Sequence, residues 1–156
     1  MTLREVGRRA GVSHNAPYKH FADKQALLAA VAARELAEYT ALLANEGSLS
    51  HAMRAYIRRA LRFPARFRLV YGPWTVESVE LAQGAERAWA ALLGSVVAAQ
   101  EAGELPAGPP GRLANLVRSV AHGAIDLALA GHLAKGDEPT TPEQLVDDFV
   151  TMMDAG

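Results

Sequence analysis

Cysteine is absent from the 156 residues, which excludes disulfide frameworks and thiolate chemistry. Long apolar runs are absent as well. Charge interrupts each of them well short of a bilayer span, so no transmembrane helix is expected. The opening Met1-Thr2-Leu3-Arg4-Glu5 has no apolar signal-peptide core. No stretch alternates apolar and polar residues in the manner of a strand. There is no Gly-rich phosphate loop and no nucleophile elbow. Asp147 and Asp148 are adjacent, so on a helix they point apart and make no catalytic pair. The five histidines, at 14, 20, 51, 122 and 132, do not cluster at metal-liganding spacing. These absences leave no support for an enzyme, a metal or another cofactor, and they fit a cytoplasmic chain.

What is present is a chain that is 50% hydrophobic and 21% charged, the balance of a soluble globular protein. Its length suits one compact domain, or one domain with a small appended lobe. Net charge is −1, unevenly spread. Residues 1–24 carry Arg4, Arg8, Arg9, Lys19 and Lys24 against Glu5 and Asp23, a local +3, which leaves −4 for the rest. A basic end on a mildly acidic body fits a nucleic-acid footprint. On charge alone, a solvated helix face is the simpler explanation.

Apolar residues recur at three and four positions almost throughout, and Gly and Pro punctuate them, so the expected fold is all-α. Thr2 with Glu5 three residues later forms a capping box for a first helix that buries Leu3, Val6 and Ala10 and ends at Gly11. Val12 is expected as a core plug in the turn. Ser13 is expected to cap a short helix over residues 14–21, with Pro17 near its start. Asp23 caps a long helix over 24–44. A fourth helix is expected over 49–63, with Pro64 ending or kinking it. A short helix follows, containing Phe67, Leu69, Val70 and Tyr71 and closed by Gly72-Pro73. Further helices are expected over 76–102 and 112–134, the latter with Leu116, Val117, Val120, Ala124, Ile125 and Leu129 on its apolar side. Thr141, Pro142 and Gln144 announce a last helix through a second capping box.

Two short helices joined by Gly11-Val12-Ser13 have the sequence form of a helix-turn-helix, whose second helix can enter a major groove. The run Leu3-Arg4-Glu5-Val6-Gly7-Arg8-Arg9-Ala10-Gly11-Val12-Ser13, then Pro17-Tyr18-Lys19-His20-Phe21, then Lys24 and Leu27-Leu28, resembles the DNA-binding signature of the tetracycline-repressor (TetR) family. Tyr71-Gly72 and His122-Gly123 look like the subfamily whose C-terminal domain carries a Trp-His-Gly motif, although the Trp is not evident.

The resemblance implies an all-α regulator. Its helix-turn-helix lobe would be joined by a long helix, within residues 1–44, to a helical-bundle ligand-binding and dimerisation domain over 45–156. It implies that Thr2 contacts phosphate, and that Ser13, His14, Asn15 and Lys19 face the groove. Tyr18, His20 and Lys24 would hold further phosphates, and Val6, Ala10, Val12 and Phe21 would be core. The chemistry suits these roles: Asn can read adenine in bidentate fashion and Lys can reach guanine acceptors. Ser13 also serves as a cap, and His20 could equally pack or cap. Arg8 and Arg9 become candidates for phosphate steering. The implied partners are a double-stranded DNA operator, a small-molecule ligand and a second copy of the chain, with no membrane. Family members carry another helix before the position of Thr2. The chain begins at Met1, so part of the apolar face of residues 3–28 is expected to lack its cover.

In the larger lobe, Phe67, Tyr71, Trp74 and Trp89 gather around helix breaks, where pockets form between helices. Core packing explains the same residues. His122 and Asp126, four apart on an apolar helix, would orient a ligand or form a satisfied buried pair. The helices over 112–134 and 142–154 are the candidates for a two-fold interface. Two functions remain: a DNA-binding regulator, expected to be a repressor released by its ligand, or a helical small-molecule-binding or protein-interaction module that has lost DNA binding.

Overall fold

The computed structural model describes residues 2–13, 15–45, 47–135 and 137–154. Among them every regular element is helical. The order is α1 (Leu3–Arg9), a three-residue 3-10 turn (Pro17–Lys19), α2 (Lys24–Asn45), α3 (Leu49–Arg62), α4 (Pro64–Val70), α5 (Val79–Glu101), α6 (Pro110–Leu129) and α7 (Pro142–Asp154).

The ends of these helices follow local chemistry. The Thr2 hydroxyl accepts the Glu5 amide at 3.3 Å, while the Thr2 amide donates to the Glu5 carboxylate at 2.8 Å. The same reciprocal pair joins Thr141 and Gln144 at the start of α7. Asp23 accepts the Ala26 amide at 2.8 Å in the first turn of α2. Ser48 caps α3 and Ser78 caps α5. The Ser78 cap explains why α5 begins at Val79 and not at residue 76. Pro64 does more than end α3: as the first residue of α4 it starts a new helix, where its missing N–H costs nothing. Pro110 likewise starts α6 two residues earlier than expected. Gly131, at φ 72°, lets His132 donate to the Leu127 carbonyl at 2.8 Å. That closure ends α6 at Leu129, short of the expected 134.

The turn after α1 corrects two expectations. Gly11 takes φ 70°, Gly11 donates to the Arg8 carbonyl and Val12 donates to the Gly7 carbonyl at 3.0 Å. In this motif the residue in Val12's place ordinarily packs on the one in Gly7's place. Gly7 offers no side chain, so Val12 is not a core plug but 49% exposed. Ala10 is exposed as the C-cap of α1. The expected helix over 14–21 is reduced to the 3-10 turn. Asn15, Ala16 and Pro17 accept from the third residue along, at 3.1–3.2 Å. Pro17 has no N–H to give, and its ring obstructs the carbonyl four residues back. His14 lies outside the described residues.

The core is built along α2, which packs chiefly against α5, while α6 packs chiefly against α7. Leu36, Tyr39 and Leu43 of α2 meet Met53, Tyr56 and Ile57 of α3, Leu92 and Val96 of α5, and Val117 and Ile125 of α6. Large apolar side chains buried in this way each stabilise the fold by about 1.5–3 kcal/mol. On α6 the buried line runs through Leu113, Ala114, Val117, Ala121, Ala124 and Ile125. Leu116, expected on that side, is 40% exposed because it stands beside the line and not on it. Two polar ties hold α2 in place. The Ser95 hydroxyl donates to the Leu43 carbonyl at 2.7 Å. Glu35, 2% exposed, accepts two bonds from Arg59 at 2.7 and 2.9 Å, with Arg66 at 3.5 Å.

Candidate DNA-binding segment and ligand cavity

The candidate DNA-binding segment is α1 and the 3-10 turn, packed on each other at Gly7. A Cβ at Gly7 would stand 3.2 Å from the Ser13 carbonyl oxygen and 3.3 Å from Pro17 Cγ, so a side-chain-free residue sets how near the two pieces come. This contact brings Thr2, at the start of α1, into one unit with Tyr18 and Lys19 of the turn. Lys24 follows at the first position of α2.

Thr2, Ser13, Asn15, Tyr18, Lys19, His20 and Lys24 are all exposed. Among the described residues, the side chains of Asn15, Tyr18, Lys19 and Lys24 make no hydrogen bond or ion pair. The Thr2 hydroxyl serves the capping box as acceptor, which leaves its own O–H free to donate. Among the described residues the Ser13 side chain caps no amide; its backbone carbonyl accepts from Ala16 at 3.0 Å. His20 leans edge-on against Phe21, ring centres 6.5 Å apart. The Thr2 amide, by donating to Glu5, holds that carboxyl below its usual range. Arg4, Arg8 and Arg9 add exposed positive charge on α1. The arrangement can present donors and cations to a polyanion without breaking any bond inside the chain.

The second feature is an apolar cavity of about 200 Å³ bounded by α2, α3, the segment after α4, α5 and α6. Tyr71, Trp74 and Trp89, three of the six residues expected at a ligand site, line it. Two others stand one layer behind. Phe67 is buried with its ring 5.4 Å from Tyr71, and His122 meets the Tyr71 ring edge-on at 4.0 Å. Burial holds the His122 imidazole below its ordinary pKa, with Arg118 adding to the effect and Asp126 opposing it. Asp126 itself is exposed and lies off the cavity wall.

Of the cavity residues not singled out as site residues from sequence, three carry polar groups: Tyr39, Tyr56 and Arg118. Tyr39 is 1% exposed, and its hydroxyl is the buried side-chain polar atom without a hydrogen-bond partner among the described residues. Tyr56 donates to the Tyr71 hydroxyl at 3.1 Å and lies 3.5 Å from His122 Nδ1. Arg118 stacks over the Trp89 ring at 5.1 Å and donates to Asn115 at 2.8 Å. Burial raises the pKa of all three tyrosines, so their hydroxyls stay neutral. Tyr39 lies within the apolar periodicity of α2, and that pattern carries no sign of an unpartnered hydroxyl.

Among the described residues no helix is long and apolar enough to cross a membrane, and no group of three or more His, Asp or Glu could hold a metal. The chain resembles a solved structure described as a protein with unknown function from Rhodococcus sp. RHA1. The two share 28% identity at a TM-score of 0.80, over all of this chain and 84% of that one. No curated protein matches the chain. Residues 49–153 match the family model described as the tetracyclin repressor-like C-terminal domain. Residues 1–31 match the model described as bacterial regulatory proteins of the tetR family. With both halves matched in the expected order on an all-helical frame, the chain belongs to the TetR family of DNA-binding transcriptional regulators.

Proposed function

We propose that the chain is a sequence-specific repressor that binds its operator as a homodimer and is released by a small molecule held in the apolar cavity. The observation that carries this is the path of α2. Its first residue, Lys24, follows directly on the candidate DNA-binding segment, and its second half supplies Leu36, Tyr39 and Leu43 to the cavity wall. One rigid element therefore spans both places. Residues 1–44 are the DNA-binding lobe with its connecting helix, and residues 45–156 the ligand-binding and dimerisation domain.

In this reading Thr2, Tyr18, His20 and Lys24 hold phosphates, and Ser13, His14, Asn15 and Lys19 face the major groove. Recognition elements of a dimer must sit about 34–36 Å apart to engage successive half-sites. A ligand that favours a different tilt of α2 releases DNA through its differential affinity for the two shapes. For the dimer, α6 offers Leu116 and Leu127, both exposed and three helical turns apart, hence on one side. Gly123 between them has open space where a Cβ would stand, which permits close approach of a partner helix. A chain of this kind acts in the cytoplasm.

The test is DNA binding across a salt series, with the duplex upstream of the chain's own gene and an unrelated duplex. Selective binding whose affinity falls steeply with salt supports the reading. Replacing Lys24 by Ala should weaken binding to both duplexes and flatten the salt slope, whereas replacing Asn15 should change only the preference between them. A second reading, a helical binding module without DNA binding, draws on the reduction of the expected recognition helix to a three-residue 3-10 turn. Equal, weak affinity for both duplexes would favour it.

A further inference from the structure

The cavity's lining indicates what it would hold. Its wall is apolar and aromatic apart from the hydroxyls of Tyr39, Tyr56 and Tyr71, the indole N–H groups of Trp74 and Trp89, and Arg118, each of which carries a hydrogen-bond donor. The Tyr39 hydroxyl is a buried donor with nothing to donate to among the described residues. Burying such a group without a partner is unfavourable, so an occupant that accepts from it gains what the empty site forfeits. Arg118 is the one charged side chain among the lining residues, and no carboxylate joins it there. Glu35 lies near Tyr39 on the same helix, but its carboxylate is already taken by Arg59 and Arg66.

An aromatic box would by itself also suit a quaternary ammonium ion. Arg118 decides against that. Its guanidinium already stands over the Trp89 face at 5.1 Å and would repel a second cation. Size narrows the class further. A cavity of about 150 Å³ accommodates benzene, so about 200 Å³ suits one ring with a short substituent.

We propose that the cavity takes a single-ring aromatic carboxylate, its ring among Trp74, Trp89 and Tyr71 and its carboxylate accepting from the Tyr39 hydroxyl and balanced by Arg118. The inference rests on the cavity being the ligand site.

Trp74 and Trp89 are the only tryptophans in the chain and both line the cavity, so intrinsic fluorescence reports its occupancy. The full chain is titrated with benzoate and 3-phenylpropanoate, with the matching amides, and with benzyltrimethylammonium. Each carboxylate should bind about tenfold or more tightly than its amide, and the cation least of all. Tyr39→Phe should retain the fold and weaken carboxylate binding about tenfold, the worth of one hydrogen bond to a charged group. Arg118→Gln should erase the difference between acid and amide, and Arg118→Lys should keep part of it. An amide or the cation binding as well as the acid overturns the proposal. So do the absence of any fluorescence change at millimolar probe and an unaltered affinity in Tyr39→Phe. DNA release measured in the same samples separates the two claims. Release by an uncharged ring keeps the regulator and removes the carboxylate. Carboxylate binding with unchanged DNA affinity does the reverse.

Discussion

At Gly7 two effects oppose each other. A helical Gly→Ala change ordinarily stabilises by about 0.5–1 kcal/mol. Here the added methyl would press on the backbone oxygen of Ser13 and the Pro17 ring. A carbonyl cannot swing aside as a side chain can, and forced overpacking costs about 1–3 kcal/mol. The clash wins. Gly7→Ala is expected to lower DNA affinity about tenfold while circular dichroism shows the larger lobe still melting at its usual temperature. His122 gives a prediction in pH. Its pKa is lower in the folded chain than in the unfolded one, so its contribution to stability is complete above the unfolded value and is lost as pH falls towards the folded value. The melting temperature should therefore decline below about pH 6.5, the ordinary histidine value, and His122→Phe should flatten that decline. Tyr56, Tyr71 and Phe67 surround the ring, so the cost of charging it is chiefly one of burial.

At the scale of elements, what the sequence revealed was what is decided within a few residues. Thr2 with Glu5 and Thr141 with Gln144 announced two helix starts, and both capping boxes form because each needs only one helical turn. The 3-10 turn was missed because helical periodicity outweighed Pro17, and the exposure of Val12 because its packing depends on Gly7 across the turn. The Trp74 and Trp89 lining could be anticipated from aromatics at helix breaks. Arg118 could not, since its meaning comes from α5 lying opposite. Glu35 belongs to the same class. It interrupts the apolar side of α2, and only the packing of α3 and α4 shows that it is satisfied. Removing one partner of a buried ion pair costs about 3–5 kcal/mol. Arg59→Met should thus lower stability to denaturant by about 3 kcal/mol. Arg54→Met, which breaks the solvent-exposed pair with Asp147, should leave the midpoint almost unmoved.

For the whole molecule, the question is what covers α6. Leu116, Gly123 and Leu127 form an exposed line on the helix that also contributes Arg118 to the cavity. If two copies meet there, the melting temperature rises with protein concentration. Leu127→Glu should abolish that dependence and shift the sedimentation coefficient to that of one chain. A dimer that survives the substitution places the interface elsewhere.

Among the described residues the side chains of Asn15, Tyr18 and Lys19 form no hydrogen bond or ion pair, so no such tie within the fold depends on their identity. If these residues read DNA as proposed, substitutions there are free to explore new operators while the melting temperature stays close to where it was. A lineage could change the genes it controls by altering a few exposed positions, with no second mutation needed to rescue stability. The cavity has no such freedom, because Tyr39, Tyr56 and Leu36 are at once its wall and the protein's core. If the cavity holds the regulator's signal as proposed, the address it reads should drift faster over evolutionary time than the signal it answers.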